Sequence, residues 1–157
     1  MELKCLIIDD EPMAVEVIEN HLKKLPDITV AGSFQNPLEA LSVMESAEID
    51  FIFLDINMPL ISGLDFLKSI SIKPRVIITT AYREFAVDSF ELDVVDYLIK
   101  PIPFARFLKA IDKVKNLLQL EKGKTEKISE KPHLFVKADK KLVKVYLSDI
   151  LFVESLK

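Results

Sequence analysis

The sequence predicts an α/β fold: a doubly wound five-stranded parallel sheet with helices on both faces, followed by a linker and a short β fragment. Three observations predict it. Short, continuously apolar runs recur along the first hundred residues, longer amphipathic patterns separate them, and polar residues stand directly at the ends of the runs. Apolar runs without alternation read as strands covered on both faces, as in a parallel sheet. Strand–helix units with short connections wind into such a sheet with a helix layer on each side.

The elements follow in order. Leu3 to Ile8 is the first strand, and Ala14, Val17, Ile18, Leu22 and Leu25 then fall on one helical face. Ile28 to Phe34 is a weaker strand, followed by a helical face carrying Leu38, Leu41 and Met44. Phe51 to Leu54, Val76 to Ile78 and Val94 to Ile99 are the third, fourth and fifth strands. Phe104, Phe107, Leu108, Ile111, Val114 and Leu118 make the longest helical stripe, and each stripe reads as core rather than as a binding groove. After Leu120 the texture changes. Glu121 to Pro132 is charged, holds a glycine and a proline, and reads as a linker or frayed helix end. Leu134 to Val136, Leu142 to Leu147 and Ile150 to Val153 read as short strands, too few to form a domain alone. The expected organisation is therefore 1–120, 121–132 and 133–157.

Composition narrows the function. Half of the 157 residues are apolar and 29% are charged, enough to bury a core. The formal net charge of -4 lacks the basic excess of a nucleic-acid binder. Cys5, the one cysteine, sits in an apolar run and reads as a buried strand thiol. No run reaches the roughly 20 apolar residues of a membrane span, and the first apolar stretch meets three acids, unlike a signal peptide. The expected location is cytoplasmic. Gly32, Gly63 and Gly123 lie far apart, which excludes glycine-rich phosphate loops. Any phosphate chemistry must rest on side chains and metal.

In an open parallel sheet, ligands bind beyond the carboxyl ends of the strands. Asp9 and Asp10 end the first strand, Asp55 the third, Thr80 the fourth and Lys100 the fifth. Each alone has an ordinary explanation as a helix cap, a loop residue or a sheet-end packer. Four strand ends supplying three acids, a hydroxyl and an ammonium do not. Clustered acids raise one another's pKa unless a cation neutralises them. Magnesium suits them, because it takes carboxylate and phosphate oxygens and keeps several waters. A carboxylate is also a nucleophile toward phosphorus, and Lys100, Thr80 and the metal can meet the charge of the transferring group.

The segments IIDDEP, FLDINMP, IITTAY and DYLIKP, in this order and spacing, resemble the signature of response-regulator receiver domains of two-component systems, with a flavodoxin-like fold. The resemblance covers Glu2 to about Leu120. It implies that Asp55 is the phosphoacceptor, that Asp10, Asp55 and the backbone carbonyl of Asn57 hold Mg2+, and that Asp9 acts through water. It implies that Lys100 meets the phosphoryl group or Asp55, that Thr80 and Tyr97 are the switch pair, and that the bond before Pro101 is cis. Met58, Pro59 and Gly63 match the loop after the phosphoacceptor. A sensor histidine kinase is the implied partner, and self-catalysed phosphotransfer and dephosphorylation are the implied chemistry of a protein that is not an enzyme in the usual sense. The receiver's fourth helix, fifth strand and fifth helix form the candidate homodimer face.

The tail KKLVKVYLSDILFVES resembles the opening strands of a LytTR-type DNA-binding domain, and TTAYREFAVDSFELDVVDYLIKPI resembles the receiver subtype fused to it. The implied role is phosphorylation-dependent transcription control, with DNA bound only through a complete output domain and residues 133–157 as its incomplete start. Two rivals stand beside this reading. A haloacid-dehalogenase-like phosphatase would use Asp9 as nucleophile, but Glu11 replaces the aspartate it needs and Asp55 is left without a role. A phosphate-independent receiver-fold interaction module has no reason to keep a crowded anionic site. His21 and His133 are unclustered and offer no metal site.

Overall fold

The computed structural model describes residues 1–71, 74–83, 93–128, 133–138 and 141–146. They divide into two compact units, residues 1–117 and 118–157, taken separately below.

The first unit runs β1 (Leu3–Ile8), α1 (Pro12–Leu22), β2 (Ile28–Phe34), α2 (Pro37–Ser46), β3 (Phe51–Asp55), α3 (Gly63–Ser69), β4 (Arg75–Thr80), β5 (Asp96–Ile99) and the start of α4 (Phe104–Ile128). The strands form one parallel sheet in the order β2-β1-β3-β4-β5. The order reverses beside β1, so the carboxyl ends of β1 and β3 flank the crevice where such sheets bind ligands. The receiver's fourth helix is expected between β4 and β5, where residues 84–92 lie outside the described residues.

Local signals explain the helix starts. Pro12 and Pro37 occupy first-turn positions, where a missing N–H costs nothing. Asn36 accepts the Leu38 N–H and Ser62 accepts the Asp65 N–H, capping α2 and α3. Alternation along the strands then splits the core in two. Leu6, Ile8, Ile52, Leu54 and Ile78 pack with Ala40, Met44, Phe66 and Leu67 of α2 and α3. On the other face the Phe53 ring stacks on Phe107 of α4 at 5.4 Å and lies edge-on to Phe51 at 5.5 Å. Each fully buried side chain of this size contributes about 1.5–3 kcal/mol. Cys5 is buried among them, and desolvation, then the Asp50 charge, pushes its thiol up to about 12, so it is inert.

Some of the expected helical faces shift. Val17 and Leu38 are exposed rather than core-facing, α2 burying Pro37, Ala40 and Met44 instead, and Leu25 lies beyond the end of α1. The fifth strand begins two residues later than its apolar run, at Asp96.

Helix α4 continues through Ile128, into the stretch read as linker or frayed helix end. In the second unit, β6 (His133–Ala138) and β7 (Lys141–Tyr146) pair antiparallel, with Val136 opposite Val143. The third strand expected at Ile150 to Val153 lies outside the described residues. Among the described residues, no helix is long and apolar enough to cross a membrane.

Candidate functional site

The site is built at the carboxyl ends of β1, β3, β4 and β5. Asp9 and Asp10 follow β1, Asp55 closes β3, Thr80 closes β4 and Lys100 follows β5. Asp9, Asp55 and Thr80 are buried, although each is polar. The parallel ladders bring them together: Asp55 lies opposite Thr79, and the Lys100 N–H donates to the Thr80 carbonyl at 2.8 Å.

Lys100 is the cation at the centre. Its Nζ lies 2.7 Å from Asp9 Oδ2, 3.4 Å from Asp55 Oδ2 and 3.4 Å from Glu11 Oε1. Burial disfavours its charge, but the Asp9 hydrogen bond and then the Asp9, Asp55 and Glu11 charges outweigh that and hold its pKa above the ordinary value. Asp55 moves the other way from a normal acid. Burial first, and the Asp9 charge second, push it up to about 7, against the lowering by Lys100 and by the Asn57 N–H that it accepts. At Asp55, burial and the Asp9 charge together outweigh the nearby Lys100 ammonium.

Carboxylate oxygens of Asp9, Asp10, Glu11 and Asp55 lie within 4.8 Å of one another. Asp10 Oδ1 is buried and has no hydrogen-bond partner among the described residues, whereas Asp9 Oδ1 accepts the Glu11 N–H and Asp9 Oδ2 has Lys100. A buried, unpartnered carboxylate oxygen beside three more acids fits a hard, oxygen-seeking divalent cation.

The loop after β3 has a tight geometry. The Gly63 N–H donates to the Ile56 carbonyl at 2.8 Å, and the Ile61 N–H to the Pro59 carbonyl at 3.0 Å. Leu60, exposed between them, holds φ 73°, a left-handed conformation that costs a β-carbon-bearing residue about 1–2 kcal/mol. Leu60→Asn is expected to raise stability by about 0.5–1 kcal/mol, read from the midpoint of urea unfolding.

The hydroxyl and the aromatic ring also meet. Thr80 Oγ1 accepts the Tyr82 N–H at 3.2 Å, while the Tyr97 hydroxyl donates to the Tyr82 carbonyl at 2.6 Å. The backbone of Tyr82 therefore bridges the two. On the far side of β5, Asp96 accepts both Arg106 nitrogens at 2.7 and 2.8 Å and pairs with Lys113 at 3.1 Å. Burial opposes its charge, but these partners and the Tyr97 N–H hold the carboxyl below the usual range. Arg106 and Lys113 are thus engaged within their own chain.

Asp9, Asp10, Asp55, Thr80 and Lys100 are brought to one rim, with Asn57, Pro59 and Gly63 in the adjoining loop and Tyr97 one bridge away. The Lys100–Pro101 peptide is cis. Sequence reasoning missed Glu11 as a lysine partner, although it is the third acid of the first cluster, and it missed Tyr82, whose backbone N–H and carbonyl make the bridge.

A parallel five-stranded sheet with such a rim defines a receiver-type signalling domain, and residues 5–112 match the response regulator receiver domain family. The chain belongs to that family. It is 32% identical over 155 residues to an uncharacterized response regulatory protein of Shewanella oneidensis, covering 98% of this chain and 66% of that protein. It is 38% identical over 117 residues to the sensory transduction protein LytR of Staphylococcus haemolyticus, covering 73% of this chain and 46% of that one. Among solved structures, the REC domain of AraT, a response regulator from Geobacillus stearothermophilus, superposes with a TM-score of 0.69 at 32% identity, covering 78% of this chain and 99% of that one. The chain thus spans between about half and two thirds of the length of these curated relatives. The family match leaves no support for the haloacid-dehalogenase reading.

Proposed function

We propose that Asp55 accepts a phosphoryl group from a sensor histidine kinase in a magnesium-dependent reaction, and that the resulting change controls an attached LytTR-type DNA-binding domain and hence transcription. The observation that carries the first part is the buried Asp55 carboxylate, 3.4 Å from Lys100 and beside the unpartnered Asp10 oxygen. An Asp55 carboxylate oxygen attacks phosphorus, the bond from phosphorus to the donor breaks, and the donor leaves with that electron pair. Asp10, Asp55 and the Asn57 carbonyl would hold the metal directly, with Asp9 acting through water. When bound, magnesium supplies charge neutralisation for the carboxylates and for the phosphoryl oxygens. Lys100 turns its ammonium from the Asp55 carboxylate to the phosphoryl group, and Asp9 keeps that ammonium oriented. Mass spectrometry after incubation with acetyl phosphate and magnesium tests the assignment. Modification mapped to Asp55 and blocked by chelator is expected; modification at Asp9 overturns it.

For the switch, Thr80 donates its hydroxyl to a phosphoryl oxygen, and its movement toward that oxygen draws Oγ1 away from the Tyr82 N–H and opens space for Tyr97 to turn inward. A phosphoryl group brings roughly two negative charges and three acceptor oxygens to draw that hydroxyl. Thr80→Ala is expected to be phosphorylated still, while the phosphorylation-dependent amide shifts at Tyr82 and along β5 shrink several-fold by NMR. A full response in the variant excludes this coupling.

The output proposal rests on the tail motif in the sequence and on the name of the LytR relative. In it the receiver is residues 1–120, residues 121–132 connect, and 133–157 open the output domain. The protein works in the cytoplasm, and β5 with α4 and the receiver's fourth helix forms a homodimer face. Loss of sequence-selective duplex binding when the output domain is removed from the full-length protein is the corresponding test.

A further inference from the structure

His21 carried no function in the sequence, yet it holds the segment that presents Lys100. That segment, Lys100-Pro101-Ile102-Pro103, has a proline at two of its last three positions, so it can offer few backbone N–H groups to anchor itself. The Lys100 N–H is tied to the Thr80 carbonyl at 2.8 Å before the turn, and the Pro103 carbonyl accepts the Phe107 N–H at 3.0 Å after it. Between these anchors, the buried Ile102 places its carbonyl 2.8 Å from His21 Nε2, on the last turn of α1. A carbonyl only accepts, so Nε2 carries the proton and donates.

The imidazole is held for this task. Its centroid lies 5.3 Å from the ring of Phe104 and 5.0 Å from that of Phe107, and Phe107 stacks on Phe53 two residues before Asp55. Lys24 covers Phe104 with its ammonium 4.4 Å from the ring centroid. Helix α1 therefore begins next to Asp9, the closest partner of Lys100, and near its other end grips the turn that follows Lys100.

We infer that His21 is a positioning residue: its Nε2–H, donated to the Ile102 carbonyl, sets the turn that aims the Lys100 ammonium at Asp9 and Asp55. The inference rests on the phosphoacceptor reading of that site for its kinetic consequence. Its structural content, the link from His21 to Lys100, stands apart from it.

The test compares His21→Phe, which keeps a ring against Phe104 and Phe107 but loses the donor, with His21→Gln, which keeps an N–H donor but loses the ring. Three quantities are read: the initial rate of Asp55 labelling by acetyl phosphate at saturating magnesium, the melting temperature, and the 15N resonance of Lys100 Nζ in metal-free protein. The Phe variant is expected to label roughly tenfold more slowly, with a displaced Lys100 resonance and a melting temperature near the parent's. The Gln variant is expected to label within about twofold of the parent while melting lower. In a Lys100→Ala background, His21→Phe adds no further slowing. The inference is overturned if the Phe variant leaves the rate and the Lys100 resonance unchanged, if both variants slow labelling alike, or if the slowing persists without Lys100. Failure of the parent to be labelled sinks the phosphoacceptor reading, and the Lys100 resonance then decides the His21 inference alone.

Discussion

Asp55→Asn is expected to abolish phosphorylation by acetyl phosphate, a loss of at least about a thousandfold, because an amide oxygen is a far weaker nucleophile than a carboxylate. The same substitution should stabilise the metal-free protein at neutral pH. Burial and the Asp9 charge push Asp55 up to about 7 in the folded state, whereas an unfolded aspartate titrates at about 4. A raised folded pKa gives stability that is present below the unfolded value and lost as pH rises through the folded one. Above about pH 7 the folded parent therefore holds an ionised, crowded carboxylate, and the Asn variant is relieved of it by about 1–3 kcal/mol. In chelator, the variant should melt above the parent at pH 8, and the gap should close as pH falls toward 4. Magnesium should raise the melting temperature of the parent more than that of the variant, since binding to the folded state stabilises it by mass action. A variant no more stable than the parent at pH 8 without metal means that Lys100 already balances the site.

Gly63→Ala is the second large effect. An added Cβ would overlap the Asp55 carbonyl oxygen and sit 3.0 Å from its carbonyl carbon and 3.1 Å from the Ile56 Cα. All three are backbone atoms of the segment that carries the phosphoacceptor, so no side-chain rotation relieves the overlap. Either β3 or the start of α3 must move, at a cost of about 3 kcal/mol or more. Denaturant unfolding should show that loss, and labelling of the surviving folded protein should slow, because displacing the Asp55 backbone displaces the nucleophile. Full stability in Gly63→Ala would mean that the loop has another conformation of equal energy.

The contrast between Gly63 and Leu60 shows where sequence reading ends. A glycine in a loop usually signals backbone freedom, but here the left-handed residue is Leu60, and Gly63 is needed for close approach. Only the packing around each residue separates those reasons. Val17 and Leu38 make a related case: both fit an apolar helical stripe, yet both are exposed, because the width of a buried face is set by the neighbouring sheet and not by the helix's own period.

The sequence by itself determined the parallel α/β class, since unalternating apolar runs need cover on both faces, and it determined the acids, hydroxyl and lysine of the rim, since each directly follows or closes an apolar run. What only the tertiary structure decided are the links between elements distant in the chain. Glu11 shares a lysine 89 residues away. Tyr82 joins Thr80 to Tyr97 through backbone atoms that no side-chain pattern announces. His21 reaches a carbonyl 81 residues away. Periodicity reports which face of an element is buried. It carries no information about which partner a buried polar group meets, because that depends on the strand order and on the side chains that the fold places opposite it.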